Sequence, residues 1–176
     1  MSSLFNVSPI DGRYSNKLNT LHNYFSEFSF IKYRLFIEIE YLIALSRQTH
    51  IITLSESDIK LLKNIHSSFS LKDAEDIKKI ENDIHHDVKS IEYFLKHKLE
   101  SHKYHKESIY VHFGLTSQDI NTPAYMLMIK DANTDLILPQ LKHITDHIMN
   151  HINIWKSIVM LSKTHGQPAS PTYLGK

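Results

Sequence analysis

The chain has 176 residues, 41% of them hydrophobic, so it is long enough to bury a core in one or two domains. Its 20 Lys and Arg balance 19 Asp and Glu, which excludes a strong positive field that would recruit nucleic acid or an anionic membrane. It contains no cysteine, which excludes a disulfide framework and a thiolate zinc site.

The first residues do not look like a targeting segment. Residues 1–5 lack the basic and then apolar pattern of a signal peptide. The most apolar run, residues 35–45, is interrupted by Glu38 and Glu40 and is too short to span a bilayer. We therefore expect a soluble, cytoplasmic protein that binds neither nucleic acid nor membranes.

Helices account for most of the predicted elements. Apolar residues recur at three- and four-residue steps over 16–47, which predicts a helix in two pieces around Ser26. Ser55 and Ser70 each precede an aspartate by three residues, which predicts a capping box at the start of the next two helices. Glycine is scarce, and the loops that contain it are where we look for function: residues 9–14, 112–121 and 164–172.

The first of these loops presents an arginine and a tyrosine side by side. The guanidinium of Arg13 suits a phosphate or carboxylate, and Tyr14 adds a hydroxyl donor. The alternative is an ordinary surface turn.

Ionisable residues cluster over 81–89, ahead of a predicted amphipathic helix. Adjacent histidines on a helix point about 100° apart, so we expect only one of His85 and His86 to face a site and the other to be structural. Such a pair is also a poor metal chelate. The alternative for this cluster, which includes Asp87, is a charged, solvated helix face.

A helix is predicted to begin after Gly114. Thr116 and Asp119 form the pattern of a capping box, and the helix N-terminus offers backbone N–H groups to a carboxylate or phosphate beside Thr116 and Ser117. The alternative is that the hydroxyl groups merely cap the helix. Pro139 predicts a kink or a restart, followed by an amphipathic helix to about Ile158.

In that last helix, three histidines share one face at four-residue spacing: His143, His147 and His151. Two such histidines can bind zinc, but no HExxH pattern accompanies them, so we expect no metal site.

A Gly and two Pro then interrupt the helical pattern, which predicts a loop over 162–172. His165 in this loop is a candidate proton donor near neutral pH, and Gly166 would let the backbone approach a ligand. Gln167 adds a side chain that both donates and accepts. The alternative is a rigid turn between two helices with a solvated histidine.

Taken in order, four motifs closely resemble the N-terminal motifs of the adenylosuccinate lyase family, a branch of the fumarase/aspartase superfamily: residues 11–14, 86–89, 116–121 and 164–169. The last two are specific, because fumarases, aspartases and argininosuccinate lyases carry different residues around the histidine that corresponds to His165. The resemblance extends over essentially the whole chain.

The resemblance implies an all-α fold. Residues 1–112 would form an N-terminal helical domain with substrate-binding loops, and residues 113–176 would begin a long central helical bundle, truncated at its C-terminus. It further implies a homotetramer whose active sites are each assembled from three subunits, with no metal or organic cofactor.

The implied reaction is a β-elimination that breaks a C–N bond and releases fumarate. The substrates would be adenylosuccinate, which gives AMP, and succinylaminoimidazole carboxamide ribotide, which gives AICAR. By resemblance His165 protonates the departing nitrogen, while Thr116 and Ser117 hold a carboxylate of the succinyl group. The remaining substrate contacts would come from Arg13 and Tyr14 on the phosphate side and from His85, His86, Asp87 and Gln167. Relatives often carry Asn or Arg at the position of His85.

The superfamily's serine loop, Gly-Ser-Ser-x-Met-Pro-x-Lys-x-Asn-Pro, is absent from these 176 residues. Because that loop supplies the base, we expect the 176 residues alone to be inactive. Two alternatives stay open: an argininosuccinate lyase-like member of the same superfamily, and a helical interaction module without chemistry.

Overall fold

The structure, a computed structural model, describes residues 6–174. Residues 1–5, the stretch predicted to lack a targeting pattern, lie outside the described residues, as do residues 175–176. The chain divides into two compact units, Met1–Lys130 and Asp131–Lys176. The domain boundary predicted at residue 112 stays a prediction.

Helices form most of the described chain, which confirms the predicted fold class. Two 3-10 turns, Ser15–Lys17 and Asn19–Leu21, precede the first helix. The helices are α1 (His22–Phe25), α2 (Glu27–Gln48), α3 (Glu56–Ser67), α4 (Leu71–Ile84), α5 (Asp87–Ser101), α6 (His105–Ser108), α7 (Ser117–Ala132) and α8 (Leu138–Trp155). No helix among the described residues combines the length and the apolar character needed to cross a membrane.

The predicted helix starts after Ser26, Ser55 and Ser70 are confirmed, but the predicted start at residue 16 is wrong, because the first α-helix begins at His22. The break at Ser26 separates α1 from α2, because the Ser26 side chain accepts a hydrogen bond from the Ser29 N–H at 3.2 Å and so caps α2. Ser55 and Ser70 form complete capping boxes at the starts of α3 and α4.

The core of the first unit lies around α2, which packs against α3, α4 and α5. Its largest fully buried apolar side chains include Leu35, Ile39, Leu42, Ile43, Leu62, Ile77, Ile91 and Leu95. Burying one such side chain stabilises the fold by about 1.5–3 kcal/mol. The core therefore fixes α2 and α5, the two helices that carry the buried charges described below.

Pro139 produces the predicted restart. A π-helical turn, Asn133–Ile137, separates α7 from α8, and Pro139 is the second residue of α8. Proline has no N–H to donate to the carbonyl four residues earlier, so the regular α-helical ladder cannot run through this point. The end of α8 lies at Trp155 rather than near Ile158 as predicted, because Ile158 joins the following hairpin by accepting a hydrogen bond from the Leu174 N–H.

The predicted loop over 162–172 is wrong in its secondary structure. Strands β1 (Val159–Thr164) and β2 (Gln167–Tyr173) form an antiparallel hairpin with a bulge between Leu161 and Lys163. Its two prolines, at 168 and 171, were interpreted as loop formers, but a two-stranded sheet has only edge strands, where proline is tolerated. The turn residues His165 and Gly166 have φ of 49° and 77°, as a type I′ turn requires.

Candidate functional site

A surface cavity of about 490 Å³ lies where the start of α5 faces the start of α7. It is lined by His86, Val88, Lys89, Glu92, His112, Leu115, Thr116 and Ser117. The fold thus brings together two of the motifs singled out in the sequence, at residues 86–89 and 116–121. We call this cavity the α5–α7 pocket.

The two adjacent histidines form the connection between α4 and α5 rather than lying on one helix, so the 100° separation expected on a helix does not apply to them. His85 ends α4 in the left-handed conformation, with φ of 53°. His86 is the N-cap of α5, and its Nδ1 accepts a hydrogen bond from the Lys89 N–H at 3.1 Å. Both line a second depression of about 550 Å³ beside Asp87, and His86 also lines the α5–α7 pocket.

A buried arginine ties the two walls of the pocket together. Arg34 of α2 donates from Nη2 to Asp87 Oδ2 at 2.6 Å and from Nε to Asn121 Oδ1 at 2.8 Å. Its guanidinium also lies 3.6 Å from the centre of the Phe30 ring. Because Asp87 begins α5 and Asn121 lies in the second turn of α7, one side chain sets the spacing of both helix starts.

The carboxylate of Asp87 therefore already forms an ion pair with a side chain of the protein. Partial burial tends to raise the pKa of Asp87, but the positive charge of Arg34 and a hydrogen bond from the Val88 N–H outweigh it and lower the pKa below 3.8. Asp87 is ionised at neutral pH, and its partner is Arg34.

The start of α7 contains part of the predicted capping box. Asp119 accepts hydrogen bonds from Thr116, but the Thr116 hydroxyl donates to Asp119 instead of accepting from the backbone. The Thr116 N–H and hydroxyl both donate to Asp119 Oδ2, at 2.8 and 2.9 Å. These two hydrogen bonds lower the pKa of Asp119. Since the Thr116 hydroxyl already donates its proton, a carboxylate in the pocket would meet the Ser117 hydroxyl and the backbone N–H groups of the first turn.

The sequence reasoning missed the charged residues on the α5 wall. The side chain of Glu92 is only 4% exposed, and its carboxylate pairs with Lys89 at 2.8 Å and with Lys96 at 2.7 Å. Two ammonium groups share one carboxylate, so this wall carries a net positive charge next to the start of α7. Both features favour an anionic ligand.

His112 was also missed. It lies in the left-handed conformation with φ of 62°, just before Gly114, and lines the α5–α7 pocket. Its Nδ1 is 2.5 Å from Oε1 of Glu38, whose side chain is fully buried. Burial raises the pKa of Glu38 above 4.5, although the hydrogen bond and charge of His112 oppose that rise. Two signals were present in the sequence: His112 begins the glycine-containing loop 112–121, and Glu38 interrupts the most apolar run, which we interpreted as a break in that run.

The N-terminal turn forms a separate depression of about 730 Å³, lined in part by Gly12, Arg13 and Tyr14. The Arg13 guanidinium and the Lys17 ammonium lie 5.6 and 5.9 Å from the centre of the Tyr14 ring. The turn presents Arg13 and Tyr14 next to one another, and Lys17 adds a second cation.

In the second unit, His165 and Gln167 lie at the tip of the β-hairpin, and both are exposed. A Cβ atom added to Gly166 would meet no described atom within 4 Å. The glycine is therefore explained by the φ of 77° that the turn requires, and the described residues give no support to the predicted close approach of the backbone.

The histidines of α8 lie along an exposed face. His147 Nε2 and His151 Nε2 are 3.0 Å apart, and the His151 ring packs against Trp155 with 4.4 Å between ring centres. Within residues 6–174, no group of three or more His, Cys, Asp or Glu side chains is placed to hold a metal ion.

Comparisons with known proteins agree on one family. The family model described as Lyase matches residues 12–176. The chain is 44% identical over 183 residues to adenylosuccinate lyase of Dictyostelium discoideum, and 46% and 41% identical over 180 residues to those of Buchnera aphidicola subsp. Schizaphis graminum and Escherichia coli K12. Each alignment covers all of this chain and 39–40% of the relative. The chain therefore spans about two-fifths of the length of these curated relatives.

Two solved structures share the fold. A fumarate lyase from Mesorhizobium sp. BNC1 matches with a TM-score of 0.69 at 20% identity, over 89% of this chain and 35% of that one. The β-carboxy-cis,cis-muconate cycloisomerase of Acinetobacter calcoaceticus sp. ADP1 matches with a TM-score of 0.67 at 19% identity, over 89% of this chain and 36% of that one. At these identities the likeness concerns the fold alone.

Proposed function

The chain belongs to the lyase family whose model matches residues 12–176, and on that premise we propose that its protein is an adenylosuccinate lyase. The reaction is a β-elimination. A base removes a proton from the succinyl Cβ, the C–N bond breaks, and fumarate leaves while the departing nitrogen takes up a proton. The same chemistry applies to adenylosuccinate and to succinylaminoimidazole carboxamide ribotide.

The observation that carries this proposal is the α5–α7 pocket. The start of α7, the Ser117 hydroxyl and the Lys89 ammonium meet at one cavity, where they favour a carboxylate. The negative charge of a succinyl carboxylate grows as the Cβ proton leaves. Donors held in place by the protein stabilise that charge without having to reorganise.

His165 supplies the proton to the departing nitrogen in this proposal. An imidazole suits the step because its ordinary pKa lies near neutral pH. The type I′ turn holds His165 at the tip of the hairpin with its ring exposed, so the ring is accessible to a ligand. Gln167 follows on the same hairpin as a further contact to the substrate.

The nucleotide phosphate is assigned to the N-terminal turn. Arg13 and Lys17 bring two positive charges near the ring of Tyr14, whose hydroxyl is a further donor. A phosphate carries about two negative charges, so paired cations suit it better than a single one.

Self-association is part of the proposal. On α8, apolar residues recur at steps of three and four, and they are 37–54% exposed in the described chain: Leu141, Ile144, Ile148 and Ile152. An apolar stripe of this kind on a helix needs a partner surface. We assign it to the bundle of a cytoplasmic homotetramer in which each active site is assembled from three subunits.

The test is fumarate release by the protein as its own cell makes it, with adenylosuccinate and argininosuccinate as competing substrates. We expect release from adenylosuccinate, and release from argininosuccinate alone would overturn the assignment in favour of the other branch. We also expect the purified 176-residue chain to release none, because the serine loop that supplies the base is not among its residues. A helical interaction module without chemistry would release fumarate in neither form.

A further inference from the structure

The fully buried carboxyl group of Glu38 lies behind the α5–α7 pocket, outside every role assigned above. Its side chain has 0% exposure, in the middle of α2 between core residues Leu35 and Leu42. Glu38 Oε1 contacts His112 Nδ1, and Oε2 has no hydrogen-bond partner among the described residues. A buried carboxyl group with one unsatisfied oxygen lowers stability, so a structural role alone does not account for it.

His112 connects this carboxyl group to the pocket. Its side chain is 14% exposed and lines the cavity that also holds Lys89 and Ser117. The Nδ1 edge of the ring faces the buried Glu38, which leaves Nε2 as the ring nitrogen available on the other side. Because the backbone of His112 is in the left-handed conformation, the loop holds its ring inward against α2.

We propose that Glu38 is a positioning residue for the elimination: its carboxyl oxygen accepts the Nδ1–H of His112 and thereby fixes the tautomer and orientation that present Nε2 to the bound succinyl group. This inference rests on the proposed lyase function. It requires no metal, cofactor or movement of the backbone. The geometry is that of a histidine whose orientation is set by the hydrogen bond on its other nitrogen.

The charges around the pair come from two helices, α5 and α7. Glu92 and Lys96 of α5 interact with Glu38, Lys89 and His86 line the pocket beside His112, and Asp119 of α7 interacts with His112. Glu92 is already paired with both lysines, and Asp119 is held by Thr116. Glu38 is the acidic side chain in direct contact with His112, so the substitutions should be made there.

The experiment measures kcat/KM for fumarate release in the full-length protein carrying Glu38→Leu, Glu38→Gln or His112→Asn. We expect Glu38→Leu to lose about tenfold or more, which is the size expected for one hydrogen bond to a charged group. Glu38→Gln, whose amide oxygen can still accept from Nδ1–H, should stay within about threefold of wild type. Glu40→Gln, two residues along α2 and in a different depression with Phe36 and His66, is the matched control and should have no effect.

A double variant separates positioning from a general loss of structure. If Glu38 acts through His112, adding Glu38→Leu to His112→Asn should cost little more than His112→Asn alone. Multiplicative effects, or wild-type kcat/KM in Glu38→Leu, would overturn the inference. Removing one partner of a buried pair costs stability, so kcat/KM is compared at a temperature well below the melting temperatures of Glu38→Leu, His112→Asn and the double variant, where all three are folded.

An independent readout keeps the inference testable if the wild-type protein releases no fumarate, which would overturn the proposed function instead. Ring-nitrogen NMR of histidine-labelled protein, with the His112 signals assigned by their loss in His112→Asn, reports the tautomer directly. We expect wild type and Glu38→Gln to show protonated Nδ1, and Glu38→Leu to show a changed pattern. An unchanged spectrum in Glu38→Leu would overturn the role of Glu38 whatever the activity.

Discussion

His86 and His165, two histidines in sharp turns, are held in very different ways. His86 caps α5, its Nδ1 accepts from the Lys89 N–H, and the next residue is clamped by the buried Arg34. His165 lies at the tip of a two-stranded hairpin on which only Ser162 and Thr172 are even half-buried. The first histidine, whose side chain is half-exposed, is held by a hydrogen bond at the start of a helix that packs in the core, and the second is held by backbone geometry alone.

The two settings suit different parts of the proposed chemistry. A carboxylate site needs several donors in fixed positions, and the core around α2 supplies them. A proton donor at a hairpin tip needs only the right turn and an accessible ring. Substitutions near the core should therefore change stability and activity together, whereas substitutions on the hairpin should separate the two.

We expect the largest difference between the effect on activity and the effect on stability at His165. His165→Asn keeps a residue that tolerates the left-handed conformation but removes the imidazole to which we assign the proton transfer. In the full-length protein we expect kcat to fall about 10²–10⁴-fold, the usual contribution of a general acid, with an unchanged melting temperature. His50→Asn, at an exposed position just after α2, is the control and should retain activity. Full activity in His165→Asn would remove the assigned proton donor.

The clamp at Arg34 should show the opposite behaviour. Arg34→Met keeps the length of the side chain but leaves Asp87 and Asn121 without their donor. We expect the free energy of unfolding in urea to fall by about 2–4 kcal/mol, towards the lower end because water can reach the half-exposed Asp87. Lys79→Met, which breaks an exposed pair with Asp76, should have no measurable effect on stability. Equal losses in the two variants would mean that Arg34 does not clamp the pocket.

Because Glu38 is buried in the core, we expect the free energy of unfolding to depend on pH through its carboxyl group. Its folded-state pKa is raised above the unfolded value of 4.5, chiefly by burial. The folded state therefore holds the proton more tightly, and this contribution to stability is lost as pH rises from 4.5 through the folded-state pKa. Glu38→Gln removes the loss, so its stability relative to wild type should increase between a pH below 4.5 and neutral pH. Urea unfolding at the two pH values measures this, and a constant difference would contradict it.

Local signals in the sequence predicted much of the fold. Capping boxes at Ser55 and Ser70, the break at Ser26 and the restart at Pro139 depend on residues within four positions of one another, and all four are present. The hairpin was mistaken for a loop because two prolines and a glycine look the same in a loop and in an edge strand. What decides between them is the pairing of β1 with β2, which local periodicity does not report.

The candidate site shows the same limit. Thr116, Ser117 and His86 could be singled out because each begins a helix. Arg34 and Glu38 could not, because their partners lie between 53 and 87 residues away along the chain. A charged residue in an apolar run is consistent with an exposed break as well as with a buried polar contact. Only the tertiary structure shows that both charges lie behind the pocket.

Gly166→Ala, for which we expect the smallest effect, tests whether turn geometry alone holds the hairpin. Gly166 has a φ of 77°, so Gly166→Ala should destabilise the hairpin by about 1 kcal/mol, although its Cβ would meet no described atom within 4 Å. Amide hydrogen exchange should become faster in β1 and β2 and stay unchanged in α2. Gly166→Asn, which tolerates this conformation better, should have a smaller effect. Unchanged exchange in Gly166→Ala would mean that contacts other than the turn hold His165 in place, and faster exchange in α2 would mean that the hairpin and the core do not unfold separately.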